Sequence, residues 1–235
     1  RKIHFTYLGT GCIFDYDEEH PFGKEENGFA EESLPNFFGS SYSVVKGYTD
    51  RLMKLYKNDV LNLRIRMPIT GDCNGRNFIT KITTYEKVCS VPNSMTVLPE
   101  LLPYVLEMMK SNTSGTINLT NPGLISHNEI LDMYTEIVDP NFTYTNFSKE
   151  EQLKILDADR SNNFLDTTKL ETFFPDVMNI KDSVRIMLEN YKKSFIPTNV
   201  QTTDSSNICD WDDEAKKIKC LFITGGAGFI GSNFI

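Results

Sequence analysis

The sequence lacks several features that would assign it to a broad functional class. No apolar run reaches the roughly 18 residues that a membrane-spanning helix needs. Acidic residues outnumber basic ones, 32 against 24, and the net charge of −8 argues against a nucleic-acid binder, because phosphate contacts require clustered Lys and Arg. The five cysteines form no CxxC or CxxH motif, so neither a disulfide framework nor a metal site is predicted. This cysteine usage favours a reducing compartment, and we expect a cytoplasmic protein.

The 235 residues instead carry an α/β pattern. Apolar strands alternate with amphipathic helices, which favours βαβ units and a parallel sheet. A long loop is predicted at residues 13–39 and a turn at residues 9–11. The predicted strands cover residues 4–8, 60–66 and 115–119. The predicted helices cover residues 40–57, 76–88, 99–110, 126–138 and 180–193, with another one opening at residue 148.

A change of composition near the C-terminus predicts a domain boundary. Residues 197–217 are polar and patternless, as expected of a linker, and residues 218–224 form a new apolar strand. A glycine motif follows directly, with the spacing of the first turn in a dinucleotide-binding βα unit. The predicted domains are therefore residues 1–196, a linker, and the first strand and turn of a second Rossmann domain at residues 218–235. The alternative is a glycine-rich turn without a ligand. The glycines predicted to contact a cofactor are Gly225, Gly228 and Gly231.

A tyrosine and a lysine share one face of the first predicted helix. Tyr42 and Lys46 are four residues apart, which places both side chains on the same side of a helix. A free tyrosine has a pKa of about 10, and a neighbouring ammonium favours the phenolate. Such a tuned proton donor suits carbonyl reduction by a nicotinamide. Thr10 follows the preceding predicted strand, at the sheet edge where α/β proteins bind ligands. The alternative is an ordinary surface Tyr and Lys.

Three strings carry a resemblance to a known family: LGTGCIF at residues 8–14, YSVVK at 42–46 and LRIRMPI at 63–69. They resemble the C-terminal half of extended short-chain dehydrogenases/reductases, and more closely the bifunctional 3,5-epimerase/4-reductases of nucleotide-rhamnose synthesis. The resemblance extends over residues 1–195, and the tail from Ile218 resembles the start of a nucleotide-sugar 4,6-dehydratase. Further matching strings are RNFITKI at 76–82, PNSMT at 92–96, NPG at 121–123, SHNEIL at 126–131 and RSNN at 160–163.

The resemblance implies a Rossmann-like parallel sheet with a smaller substrate-binding part. The family's own glycine-rich strand and the strands after it have no counterpart in this sequence, so we expect a fold incomplete at its N-terminal half, with an open sheet edge. We expect the chain to be a fragment of a longer polypeptide. Neither half carries a complete dinucleotide site, so residues 1–235 alone are predicted to bind NADPH or NADH only weakly.

The implied reaction has two stages on a UDP- or dTDP-linked 4-keto-6-deoxyglucose. In the epimerisation stage, the resemblance gives Cys12 and Lys81 the acid–base roles at C3 and C5 of the sugar. The alternatives are that Cys12 is a small buried core residue and that Lys81 is a solvated charge on a helix. In the reduction stage, Tyr42 would protonate the C4 oxygen, Lys46 would hold the nicotinamide ribose, and Thr10 would bind the carbonyl oxygen.

The resemblance also names binding residues and partners. Backbone contacts to NADPH or NADH are expected at Arg66 and Met67, and nucleotide-sugar contacts at Asn77, Arg160 and Asn163. The expected partners are the nucleotide sugar, a second copy of the chain in a homodimer and a fused 4,6-dehydratase. Two alternatives stay open: a related reductase or 4,6-dehydratase without epimerase activity, or an inactive nucleotide-sugar-binding fragment.

Overall fold

The computed structural model describes residues 3–22, 24–148, 151 and 160–195. The predicted linker at 197–217 and the predicted second domain at 218–235 lie outside the described residues, and so do the three glycines of its turn. The proposed division of the chain therefore stays a prediction.

The sheet is parallel, as the α/β pattern predicts. Strands β1, β2 and β5 pair in the order β1-β2-β5, and β3 pairs separately with β4, also in parallel. The predicted turn at residues 9–11 is wrong at its first two positions, because Gly9 and Thr10 continue β1 opposite Arg64 and Ile65. The strands are β1 Phe5–Thr10, β2 Val60–Ile65, β3 Pro68–Ile69, β4 Thr96–Val97 and β5 Gly115–Asn118.

Most predicted helices are confirmed within two residues of their bounds. The prediction of a helix over residues 76–88 is wrong beyond Ile82, because Val88 forms backbone hydrogen bonds with Thr145 and Phe147 and is held in an extended bridge. The helix at Thr168–Phe173 has no counterpart among the predictions. The helices are α1 Ser41–Leu55, α2 Phe78–Ile82, α3 Leu98–Lys110, α4 His127–Ile137, α5 Thr168–Phe173 and α6 Ile180–Ser194.

The helix predicted to open at residue 148 lies mostly outside the described residues. Its first hydrogen bonds are present, since the Ser148 N–H donates to the Glu151 carboxylate and the Glu151 N–H donates to the Ser148 hydroxyl. These are the reciprocal bonds of a capping box.

Strand β2 is buried along its whole length, but its two faces differ in polarity. Leu61, Leu63 and Ile65 pack with α3 in one hydrophobic cluster. Asn62 and Arg64 point toward α1 and hydrogen-bond within a polar layer. A second hydrophobic cluster joins β3 and β4 to α2, α4 and α6. The candidate site residues on β1 and α1 therefore lie beside a buried polar layer.

The outer edge of β1 has no strand partner within the described part of the chain. This agrees with the expectation of an open sheet edge. Helix α1 also has an exposed apolar stripe, because Val45, Tyr48, Leu52 and Leu55, spaced three or four residues apart, are all exposed.

Among the described residues, no helix has the length and apolarity to cross a bilayer. The same residues contain no cluster of three or more His, Cys, Asp or Glu side chains that could hold a metal ion.

Candidate active site

The end of β1 is fastened to the start of α1. Thr10 is buried, and its hydroxyl accepts a hydrogen bond from the Cys12 N–H at 3.1 Å. The Ser43 hydroxyl donates to the Cys12 carbonyl oxygen at 2.8 Å. Gly11 lies between Thr10 and Cys12, and a side chain at this position would come within 3 Å of Arg66 and Leu165. The loop that carries Thr10 and Cys12 is therefore held against the first turn of the helix that carries Tyr42.

Helix α1 brings Tyr42 and Lys46 together. Ser40 is its N-cap, and the Ser40 hydroxyl accepts the Ser43 N–H at 3.1 Å. Tyr42 and Lys46 follow one turn apart, and the Lys46 Nζ lies 6.0 Å from the centroid of the Tyr42 ring. Tyr42 is 52% exposed.

Sequence reasoning missed Tyr7 as a member of this group. Its hydroxyl accepts a hydrogen bond from the Lys46 Nζ at 2.9 Å, from a position on β1 that faces α1. Tyr7 lies in a strand and Lys46 in a helix, 39 residues apart. No local pattern could have paired them, because the contact depends on how α1 packs on the sheet.

A buried ion pair holds α1 on the sheet. The Arg64 guanidinium binds the Asp50 carboxylate at 2.8 Å, with both side chains almost completely buried. Arg64 also donates to the carbonyl oxygens of Ala30 and Ser33, which lie in the long loop. One side chain thus joins β2, α1 and the loop after Cys12.

The structure gives Arg66 a scaffolding role. Its backbone N–H and C=O are both bonded to Thr96, at 3.0 and 2.8 Å, so the predicted backbone contact to a cofactor gains no support. Its buried guanidinium donates to the Gly11 carbonyl, to Asn93 and to Ser161. This cation therefore ties the ends of β1 and β2 to more distant segments of the chain.

Met67 lies directly after β2 and has an unusual backbone. Its φ of 39° falls in the left-handed region, which is strained for a residue with a side chain. Such strain persists only where the surrounding structure imposes it, and it is common at ligand sites. The predicted cofactor contact at Met67 stays a prediction that this geometry favours.

Asn77 is fully buried, and its amide is saturated by the protein. Its oxygen accepts from the N–H groups of Thr70 and Ile79, and its nitrogen donates to the carbonyl oxygens of Thr70 and Asp72. Asn77 is also the N-cap of α2. These bonds explain its presence without a substrate, so its predicted nucleotide-sugar contact gains no support.

Asn163 and Arg160 differ in their surroundings. Asn163 is fully buried and donates to the carbonyl oxygens of Gly11 and Phe14, while its own side-chain oxygen has no hydrogen-bond partner among the described residues. Arg160 is exposed, and its charge helps to lower the pKa of His127, although burial is the larger cause. An exposed guanidinium is free to bind a diphosphate; both contacts stay predictions.

The predicted acid–base pair is not joined in the structure. Cys12 carries a free, half-buried thiol beside Thr10. Lys81 is exposed in the last turn of α2. None of the contacts that the described residues make links the two side chains, so their shared role stays a prediction.

Comparison with known proteins places this geometry in a family context. Over 191 residues the chain is 56% identical to protein L780 of Acanthamoeba polyphaga mimivirus, a match that covers 81% of this chain and 65% of L780. The crystal structure of the L780 UDP-rhamnose synthase matches with a TM-score of 0.74 at 55% identity, over 80% of this chain and 65% of that one. No family model matches the chain.

Two plant enzymes from Arabidopsis thaliana are similarly close in sequence. A bifunctional dTDP-4-dehydrorhamnose 3,5-epimerase/dTDP-4-dehydrorhamnose reductase is 56% identical over 189 residues, which is 80% of this chain and 62% of that enzyme. The trifunctional UDP-glucose 4,6-dehydratase/3,5-epimerase/reductase RHM1 is 54% identical over 178 residues, which is 75% of this chain and 26% of that enzyme. The chain thus spans less than two thirds of the length of these relatives.

The parallel sheet and the likeness to the L780 structure at 55% identity identify the class as that of the extended short-chain dehydrogenases/reductases. The chain corresponds to the C-terminal, reductase-like part of such a protein, and it is a homologue of the rhamnose synthases named above. The family resemblance inferred from residues 1–195 is thereby confirmed.

Proposed function

We propose that this chain is part of an enzyme that epimerises a nucleotide-linked 4-keto-6-deoxyglucose at C3 and C5 and then reduces its C4 ketone to give a nucleotide-rhamnose. The observation that carries the proposal is the Tyr42–Lys46 pair beside the Thr10–Cys12 loop, in a chain that is 56% identical to a bifunctional epimerase/reductase. A UDP- or dTDP-sugar is the proposed substrate.

In the reduction, Tyr42 is the proposed proton donor to the C4 oxygen. Tyr42 is exposed, and the Lys46 ammonium lies on the same side of α1. NADPH or NADH, when bound, supplies the hydride. The residues present fit such a cofactor, because one of the three Lys46 donors is used by Tyr7 and the others are left for ribose hydroxyls. The Thr10 hydroxyl would donate to the ketone oxygen while it accepts from the Cys12 N–H.

In the epimerisation, Cys12 and Lys81 are the proposed acid–base pair. The C4 ketone acidifies the hydrogens at C3 and C5, so a base and an acid on opposite faces of the sugar can invert each centre. Cys12 lies next to Thr10, which supports a position close to the same ketone. The lack of a direct Cys12–Lys81 contact is compatible with groups that act from opposite sides of a bound sugar.

A second candidate function is 4-keto reduction without epimerisation. The observation that favours it is the exposed, separate position of Lys81 on α2. This candidate uses the same Tyr42 and Lys46, but C3 and C5 of the sugar keep their configuration and their hydrogens do not exchange with solvent.

We also propose that residues 218–235 begin a fused 4,6-dehydratase, with Gly225, Gly228 and Gly231 as its cofactor turn. The trifunctional relative RHM1, which carries dehydratase and reductase activities in one polypeptide, supports such a fusion.

The test of the main proposal is Tyr42→Phe in the full-length protein. Ketone reduction should fall by at least about a hundredfold, because a general acid contributes about 10² to 10⁴ in rate, while binding of the keto sugar is retained. Reduction is followed as NADPH consumption and product formation. Wild-type reduction rates in the Tyr42→Phe variant would refute the assignment. Tyr56→Phe, an exposed tyrosine next to α1, is the matched control.

A hydrogen-exchange measurement separates the two candidate functions. In deuterated water, the wild-type protein should introduce deuterium at C3 and C5 of the keto sugar, and Cys12→Ser or Lys81→Met should suppress it. Reduction of an already epimerised sugar should survive these substitutions better. If wild-type protein reduces the sugar without exchange, the reductase-only function holds instead.

A further inference from the structure

The Lys46 ammonium lies between two tyrosines. Its Nζ donates to the Tyr7 hydroxyl at 2.9 Å and is 6.0 Å from the Tyr42 ring centroid. Tyr7 comes from the sheet, whereas Tyr42 comes from the same helix as the lysine. The described residues give the Lys46 ammonium no carboxylate partner within ion-pair distance.

The Tyr7 ring packs at a defined position on the sheet. Tyr7 is half-buried and pairs with Asn62 in the β1–β2 register. A side chain on Gly9 would come within 3.3 Å of the Tyr7 ring and 2.8 Å of the Asn62 amide oxygen. Because Gly9 has none, the ring can lie along the strand and present its hydroxyl to α1.

A phenol is chemically suited to hold this lysine. A lysine side chain is long and has several rotatable bonds, so an unanchored ammonium samples many positions. A carboxylate anchor would neutralise the charge that acts on Tyr42. A neutral hydroxyl instead fixes one of the three ammonium donors and leaves the positive charge in place.

We propose that Tyr7 is a positioning residue for the reduction step, which anchors Lys46 so that its charge and its two remaining donors face Tyr42 and the nicotinamide ribose. This inference rests on the proposed reductase function. Tyr7 itself touches neither the sugar nor the cofactor in this role, and it acts through Lys46 alone.

The test is Tyr7→Phe in the full-length protein, with Tyr48→Phe as the matched control, since Tyr48 lies exposed on α1. In Tyr7→Phe, kcat for reduction of the epimerised keto sugar should fall about tenfold, as expected for the loss of one hydrogen bond to a charged group. KM for the sugar should stay unchanged, and the melting temperature should fall by no more than about 2–4 °C, so the variant stays folded in the assay. In a Lys46→Met background, adding Tyr7→Phe should change neither kcat nor the affinity for NADPH, because the effect passes through Lys46.

A spectroscopic measurement separates this inference from the proposed function. The ¹H–¹⁵N signal of the Lys46 ammonium, assigned by its loss in Lys46→Arg, should be protected from solvent exchange in the wild type and lost in Tyr7→Phe. If wild-type protein does not reduce the keto sugar, the proposed function fails and the positioning role falls with it. If the wild type reduces it, and Tyr7→Phe either keeps its kcat or keeps the lysine signal, the positioning role alone is overturned.

Discussion

At the scale of single residues, Arg64 makes a large contribution to the stability of the fold. Its guanidinium is completely buried and pairs with Asp50, itself 4% exposed. Arg64→Met should lower the free energy of unfolding by about 3–5 kcal/mol, because the Asp50 carboxylate would stay buried without its cation. Urea unfolding followed by circular dichroism measures the loss.

An exposed ion pair of the same chemistry gives the control. Arg185 binds Glu136 on the surface, with side chains 45% and 62% exposed. Arg185→Met should change the unfolding free energy by less than about 1 kcal/mol. If Arg64→Met and Arg185→Met lose the same unfolding free energy, burial does not make the Arg64–Asp50 pair more important for stability.

His127 makes the stability depend on pH. Burial lowers the pKa of His127, the charge of Arg160 lowers it further, and the hydrogen bond to the Cys89 carbonyl opposes the shift only in part. Because the unfolded state then binds a proton more readily than the folded state, stability should fall as the pH drops below about 6.5.

The measurement compares the wild type with His127→Asn. The unfolding free energy of each is determined at about pH 7.5 and about pH 5.5. The wild type should lose more stability on acidification than the variant. An equal loss in both would show that other groups account for the acid sensitivity.

At the scale of elements, α4 shows how a short sequence signal fixes a boundary. The Ser126 hydroxyl accepts the Glu129 N–H, and the Glu129 carboxylate accepts the Ser126 N–H, so the Ser-x-x-Glu spacing forms a capping box at the start of the helix. Ser126→Ala should cost about 1 kcal/mol of unfolding free energy, because a helix N–H loses its partner. Ser111→Ala, at the exposed C-terminal end of α3, should be nearly neutral. A similar effect at both serines in denaturant unfolding would contradict a capping role.

The errors at this scale have a tertiary cause. Residues 76–88 have helical spacing, yet the helix ends at Ile82, and Val88 bonds instead to Thr145 and Phe147. Long-range pairing overrides local preference there. The helix Thr168–Phe173 is too short for periodicity to reveal, since six residues are fewer than two turns.

At the scale of the whole molecule, the described residues form a three-stranded sheet and a two-stranded one, and none of their strands is followed by a GxGxxG or GxxGxxG turn. The proposed nicotinamide contacts at Tyr42, Lys46 and the segment after β2 therefore have no glycine turn beside them, among the described residues, of the kind that binds a pyrophosphate. A polypeptide of residues 1–235 should bind NADPH and NADH only weakly. Calorimetric titration measures this, and micromolar affinity would show that the chain is self-sufficient.

Sequence alone determined the features that depend on short distances along the chain. The parallel α/β class, four helices to within two residues and the shared face of Tyr42 and Lys46 all follow from periodicity and spacing inside one element. The family resemblance follows likewise from contiguous strings.

Only the tertiary structure decided which side chains meet across elements. The Tyr7–Lys46 bond depends on the packing of α1 against β1, and the Arg64–Asp50 pair depends on its packing against β2. Asn77 matched the family as a substrate ligand, yet the fold saturates its amide with backbone partners. The physical reason is that hydrogen-bond partners and burial are set by the register and packing of elements distant in sequence, which local patterns do not encode.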